Sequence, residues 1–148
     1  MLGLTVDPAH NQFISHSPVG SVTLVGGGPG DPDLITVAGL IALLAADVVL
    51  ADNLAPVALL SELSPQVEVI DVSKHPRGRS ATQEYINELL IERARAGKHV
   101  VRLKGGDGFV FGRGFEELVA LREADIAVRV VPGLTSPIAV PALAGIPI

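Results

Sequence analysis

The chain has 148 residues, 48% of them hydrophobic, and a net charge of −5, which points to one domain with an ample aliphatic core. The absence of cysteine excludes disulfides and thiolate metal sites, and four scattered histidines with no paired spacing speak against any metal centre, so a reducing cytoplasm fits. The N-terminus lacks the Lys or Arg of an export signal and the longest apolar run, residues 37–46, is far too short to span a bilayer, so neither export nor a membrane partner is expected.

Residues 1–20 show no hydrophobic periodicity and are rich in Pro, Ser, His and Asn, which reads as a flexible leader. Residues 21–25 form a short apolar strand that runs straight into the glycine-rich stretch Gly26-Gly27-Gly28-Pro29-Gly30-Asp31. Leu34, Val37, Ala38, Ile41 and Leu44 then recur at helical spacing, predicting an amphipathic helix capped by Asp33 or Asp31. Strand, glycine turn and helix together make a ligand-binding βα unit. Residues 47–51 are a second buried strand with Asp52 at its carboxyl end, followed by a short helical patch over 56–63 and a third strand over 67–72.

The segment from Ser73 to Arg79 is basic and cannot be helical across Pro76 and Gly78. Ser80, with Gln83 three residues on, gives a capping-box pattern for a helix whose apolar face is Ile86, Leu89, Leu90 and Ala94, and Gly97 stands just past its end. A fourth strand covers 99–103, a helix 115–123 and a fifth strand 127–131. Ser136-Pro137 reads as a cap and first-turn pair opening an apolar segment over 138–144. Strands alternating with helices predict an α/β domain over residues 21–132, a mainly parallel five-stranded sheet with helices on both faces.

Charge is unevenly placed. Residues 1–73 carry eight acids and no base, while 74–148 carry eleven bases against eight acids. That balance is too mixed for a nucleic-acid stripe but favours a small anionic ligand near Lys74, Arg77, Arg79 and Lys104. Arg93, Arg95 and Arg122 sit among glutamates at helical spacing and read as solvated faces.

A second glycine-rich loop, from Lys104 to Gly114, follows the fourth strand, and its Phe109-Val110-Phe111 is too apolar for a loop that only spans solvent. Glycines at the carboxyl end of a strand let the backbone approach a ligand closely. Neither loop fits a phosphate template well: Asp31 occupies the third glycine position of the dinucleotide fingerprint, and no Gly-Lys-Ser/Thr follows either cluster. A ligand without phosphate, such as S-adenosylmethionine, suits both loops.

Val25 to Asp31 with Leu34-Ile35-Thr36, Ala46 to Val49 with Asp52, Gln83 with Ile86-Asn87, Val101 to Asp107, Phe109 to Gly114, Val131 to Gly133 with Thr135-Ser136, and Gly145 to Pro147 together resemble the tetrapyrrole methylase family, and within it the uroporphyrinogen-III C-methyltransferase branch. The likeness runs from about Val22 to the last residue. It implies a two-domain homodimer that uses S-adenosylmethionine to methylate two pyrrole carbons of uroporphyrinogen III, giving precorrin-2 for siroheme or cobalamin. Residues 133–148 would then be the connector and the start of a second α/β domain, and the apolar ending reads as a cut inside a larger protein.

The resemblance implies cofactor contacts from Pro29, Gly105, Gly106, Asp107, Val110, Thr135 and Ser136, a proton acceptor at Asp52 and a proton donor at Lys74. Arg77, Arg79 and Arg113 are placed to pair with substrate carboxylates. The chain departs from the family at Ala51, where tyrosine is usual, and at Gly108, where proline is usual. Two other readings stand beside it: a nucleotide- or dinucleotide-binding oxidoreductase domain with Asp52 on a ribose, and a non-catalytic fragment.

Overall fold

A computed structural model of the chain describes residues 20–73 and 82–148. Strands β1 (Ser21–Gly26), β2 (Val48–Ala51), β3 (Glu68–Asp71), β4 (His99–Lys104) and β5 (Ala127–Val131) alternate with helices α1 (Val37–Leu44), α2 (Val57–Leu60), α3 (Gln83–Arg95), α4 (Gly114–Glu123) and α5 (Ser136–Leu143). They form one sheet in the order β3-β2-β4-β1-β5, and every pairing is parallel.

The strand sequences explain the layering. The central strands carry Val and Leu at successive positions, and alternation sends those side chains to opposite faces, as a sheet covered on both sides requires. Val22, Leu24, Val48, Leu50 and Val100 pack on one face against Leu89 and Leu90 of α3 and Leu118 and Leu121 of α4. Val25, Val49, Val101 and Leu103 pack on the other against Ala42 and Leu43 of α1 and Leu59 of α2. Fully buried leucines such as Leu43, Leu90 and Leu121 contribute about 1.5–3 kcal/mol each.

Strand order sets where the site lies. The crossovers from β1 and β2 run toward one edge of the sheet, and those from β3 and β4 run back toward the other. Right-handed crossovers then put α1 and α2 on one face and α3 and α4 on the opposite one, the division that the two core clusters show. β1 and β4 are neighbours, so at their carboxyl ends the chain departs to opposite faces. That is where open α/β sheets place ligands.

Three helix starts differ from the sequence expectation. Asp31 caps a 3-10 turn at Pro32–Leu34 instead of a helix, and α1 begins after Thr36, whose Oγ1 accepts from Gly39 N at 3.1 Å. Thr82 caps α3 by accepting from Tyr85 N at 3.2 Å, so Gln83 is the first helical residue and not the distal member of a capping box; Ser80 lies outside the described residues. Thr135 occupies the cap position of α5 and Ser136 its first turn. In each case the residue just before the first helical one holds the extended backbone that a cap needs.

One residue of the expected leader is fixed against the end of α3, since Gly20 N donates to Ala94 O at 3.1 Å. No helix among the described residues is long and apolar enough to cross a membrane.

Candidate functional site

The two glycine loops meet across the β1–β4 boundary. Gly28 N donates to Gly106 O at 3.1 Å and Gly106 N to Gly28 O at 2.7 Å, while Gly27 N donates to Lys104 O at 2.7 Å. Gly28 and Gly106 both hold positive φ, 82° and 60°, a conformation glycine adopts at little cost. The amides expected to reach toward a ligand are therefore partly spent on each other, and the loops form a fixed ledge.

The loop after β5 closes on the same ledge. A Cβ on Gly133 would come within 2.3 Å of Gly106 O and 2.6 Å of the Gly26 carbonyl, so only glycine permits this approach. Asp107 bridges the loops, with Oδ2 accepting from Gly133 N at 3.0 Å and Oδ1 from Phe109 N at 2.8 Å.

Above the ledge lies an open groove of about 470 Å³. Every sequence-expected site residue that the structure describes lines it: Pro29, Asp52, Gly105, Gly106, Asp107, Val110, Arg113, Thr135 and Ser136. Lys74, Arg77 and Arg79 lie outside the described residues. Phe111 stands fully exposed at the rim with φ 54°, and Arg113 follows with φ 56°. Two non-glycine residues in the left-handed region cost about 1–2 kcal/mol each, strain of the kind held where a loop serves a ligand.

Beneath the groove, on the α3–α4 face, sits a charged network that the sequence reading did not single out. Arg102 and Lys104 alternate with Val101 and Leu103 in β4, and both are almost wholly buried. Glu117, fully buried in α4, accepts from Arg102 Nε at 3.1 Å, from Lys104 Nζ at 3.1 and 3.2 Å and from Gln83 Nε2 at 3.3 Å. Arg102 further donates to Leu50 O, Leu103 O and, at 3.1 Å, Asp52 Oδ2. Asp52 Oδ1 takes Leu54 N at 3.1 Å. Two cations thus face two carboxylates, the pairing that buried charges require.

This corrects the expectation for Lys104. Its ammonium is turned inward to Glu117 instead of outward to an anion, and burial, followed by the like charge of Arg102, pulls it below its ordinary value despite Glu117. Arg113 remains at the surface, its fork closed on Glu116 by bonds of 2.8 and 2.6 Å. The hydrogen bond from Arg113 holds the Glu116 carboxyl below its ordinary range. Because the pair is exposed, an incoming substrate carboxylate can replace Glu116 at small cost.

Ala51, where the family usually has tyrosine, belongs to the apolar core on the α1–α2 side, on the face opposite to the next residue, Asp52. Gly108 is buried, and a Cβ there would lie 3.1 Å from Lys104 Cδ. The glycine leaves room for the buried lysine stem.

Comparison with known proteins falls on this same stretch. Residues 21–148 match the family model for tetrapyrrole (corrin/porphyrin) methylases. The chain is 54% identical over 129 residues to a uroporphyrinogen-III C-methyltransferase of Methanocaldococcus jannaschii, which covers 87% of the chain and 53% of the relative. It is 52% identical over 132 residues to siroheme synthase 1 of Halorhodospira halophila, covering 89% of the chain and 27% of that protein. A crystal structure of uroporphyrin-III C-methyl transferase from Thermus thermophilus complexed with S-adenyl homocysteine superposes with a TM-score of 0.70 at 42% identity, over 86% of this chain and 49% of that one. The chain therefore spans about half the length of the C-methyltransferases it matches. None of these relatives supports a dinucleotide-binding oxidoreductase.

Proposed function

Because the chain belongs to the tetrapyrrole methylase family, we propose that it carries the cofactor-binding half of an S-adenosylmethionine-dependent methyltransferase that converts uroporphyrinogen III to precorrin-2, upstream of siroheme or cobalamin. The observation that carries this reading is the convergence of residues from the loops after β1, β2, β4 and β5 on one groove. The names of the relatives supply the reaction class.

The groove fits the cofactor's chemistry. S-adenosylmethionine brings a sulfonium, an ammonium and an adenosine and needs no phosphate cradle. Here the carboxylates of Asp52 and Asp107 line the groove, while Lys104 is buried against Glu117 and Arg113 is paired. The carboxylates near the loops suit the cofactor's cationic groups, and the exposed Arg113 pair suits the substrate's carboxylates. In this reading Pro29, Gly105, Gly106, Asp107, Val110, Thr135 and Ser136 hold the cofactor, and Arg113, Arg77 and Arg79 take substrate carboxylates.

Methyl transfer forms a C–C bond at an electron-rich pyrrole carbon and breaks the S–CH₃ bond, releasing the neutral thioether. What the protein must provide is in-line placement, worth far more here than any covalent assistance. The methylated ring then sheds a proton. Asp52, at the end of β2 and open to the groove, accepts it, with its orientation fixed by Arg102 and Leu54 N. Lys74 is assigned as the donor.

The same reading has the enzyme acting as a homodimer in the cytoplasm. Exposed Phe111, Phe115, Ile138 and Leu143 offer apolar surface for a subunit or second-domain contact.

The test is transfer of labelled methyl from S-adenosylmethionine to uroporphyrinogen III by the full-length form, this chain joined to the remaining half that its relatives carry, with calorimetry of S-adenosylhomocysteine binding alongside. Product with the mass of the dimethylated tetrapyrrole is expected. Tight binding of a nicotinamide dinucleotide, with none of S-adenosylhomocysteine, would overturn the reading.

A further inference from the structure

We propose that Gln83 is a substrate-binding residue whose side-chain carbonyl oxygen accepts a hydrogen bond from a ring N–H of the tetrapyrrole, alongside Asp52. The proposal rests on the methyl-transfer reading above and identifies a group of the groove that this reading leaves unassigned.

Gln83 lines the groove together with Asp52. Its amide has a donor end and an acceptor end, and the surroundings decide which faces where. One end lies 3.3 Å from Glu117 Oε1 and 3.0 Å from Asn87 Oδ1. Glu117 is a buried carboxylate already receiving Arg102 and Lys104, so it offers only acceptor capacity. The NH₂ end must therefore point inward, because the flipped amide would set its oxygen against the Glu117 carboxylate.

Both amide hydrogens are then used, and the carbonyl oxygen is left over. Among the described residues no donor to it is found, and with the NH₂ end engaged by Glu117 and Asn87 it is the end of the amide left for the groove that Gln83 lines. The chain Gln83–Glu117–Arg102–Asp52 is continuous, with Arg102 bonded to Glu117 at 3.1 Å and to Asp52 at 3.1 Å. A buried guanidinium thus ties two groove-lining acceptors, one neutral and one anionic, to a single rigid support.

Two acceptors with their cations held beneath them select a ligand that presents N–H donors. A reduced tetrapyrrole carries them on every ring, whereas its carboxylates would be repelled by Asp52. The cofactor residues assigned above come from the loops after β1, β4 and β5, while Gln83 comes from the first turn of α3.

The experiment compares Gln83→Met, which keeps the length and removes the whole amide, and Gln83→Leu with the unsubstituted full-length form. The KM for uroporphyrinogen III is expected to rise about tenfold, the value of one neutral hydrogen bond at the upper end of its range. The kcat and the S-adenosylhomocysteine affinity by calorimetry stay close to the unsubstituted values, while the melting temperature falls modestly with the lost N–H donations to Glu117 and Asn87. An unchanged KM in both variants, or an equal loss of cofactor affinity, would overturn the assignment. If neither variant folds, Gln83 is a structural residue and the proposal falls. Absence of transfer by the unsubstituted form would instead overturn the methyl-transfer reading on which it rests.

Discussion

Asp107 accepts the backbone N–H of Gly133 through Oδ2 at 3.0 Å and that of Phe109 through Oδ1 at 2.8 Å. One carboxylate thereby joins the loop after β4 to the loop after β5, and charge-assisted bonds of this kind are the stronger ones. Its contribution to the site comes at least partly from shaping the ledge on which a ligand would rest. Asp107→Ala removes both bonds while leaving the two core clusters intact. S-adenosylhomocysteine affinity is expected to fall about 10–100-fold, from a loss of about 1.5–3 kcal/mol. Calorimetry on the full-length form checks it, with circular dichroism confirming the fold; unchanged affinity would remove Asp107 from the site.

Gly133→Ala tests the same junction from the opposite side. The new methyl would sit 2.3 Å from Gly106 O and 2.6 Å from the Gly26 carbonyl, both backbone atoms that cannot swing aside. The expected outcome is separation of the loops, with faster amide hydrogen exchange at Gly28 and Gly106 and a larger loss of cofactor affinity than Asp107→Ala gives. Exchange rates equal to those of the unsubstituted protein would show that the loops are not held at this contact.

Lys104 makes a prediction for stability against pH. Burial and Arg102 hold its folded value below the ordinary 10.5 that it regains on unfolding. Between those two values the unfolded chain binds more protons, so stability rises with pH; below the folded value the cost of the buried charge is constant. The stability of the unsubstituted chain minus that of Lys104→Met, from urea unfolding, should therefore climb as pH approaches 10.5 and level off above it. A difference that falls with pH over this window would mean that Glu117 outweighs the burial.

The sequence made the frame and the ledge legible because both rest on local rules. Glycine clusters after apolar strands mark close backbone approaches, and strand–helix alternation leaves little choice of architecture. The charged network was harder to foresee. Residues 116 and 117 are both glutamates, and only the packing of α4 against β5 and α3 turns Glu117 inward and leaves Glu116 outside. A signal was nevertheless present: Arg102 and Lys104, two apart in a strand with valines and leucine, share one face of a buried sheet. Buried cations need acids, so an inward carboxylate had to exist. The helix caps are hard to place from sequence because several candidate residues, such as Asp31, Asp33 and Thr36, stand within six positions, and the backbone angles that decide among them are not legible from residue type alone.

The 148-residue chain by itself is expected to self-associate and to be at most a feeble methyltransferase. The groove is open, and placing two reactants in line while excluding water depends on a second wall. Apolar residues stand uncovered around it and along α5: Phe111 fully, Leu143 at 70% and Ile138 at 60% exposure. Single exposed apolar residues are ordinary, but a run of them flanking a groove marks a surface that is covered in the working assembly. Light scattering should report a mass above that of the 15.3 kDa monomer, rising with concentration, and labelled-methyl transfer should fall at least about a hundredfold below the full-length form, the scale of loss expected when orientation is forfeited. A monodisperse monomer turning over at the full-length rate would place the whole catalytic apparatus within these residues and remove the need for a second wall.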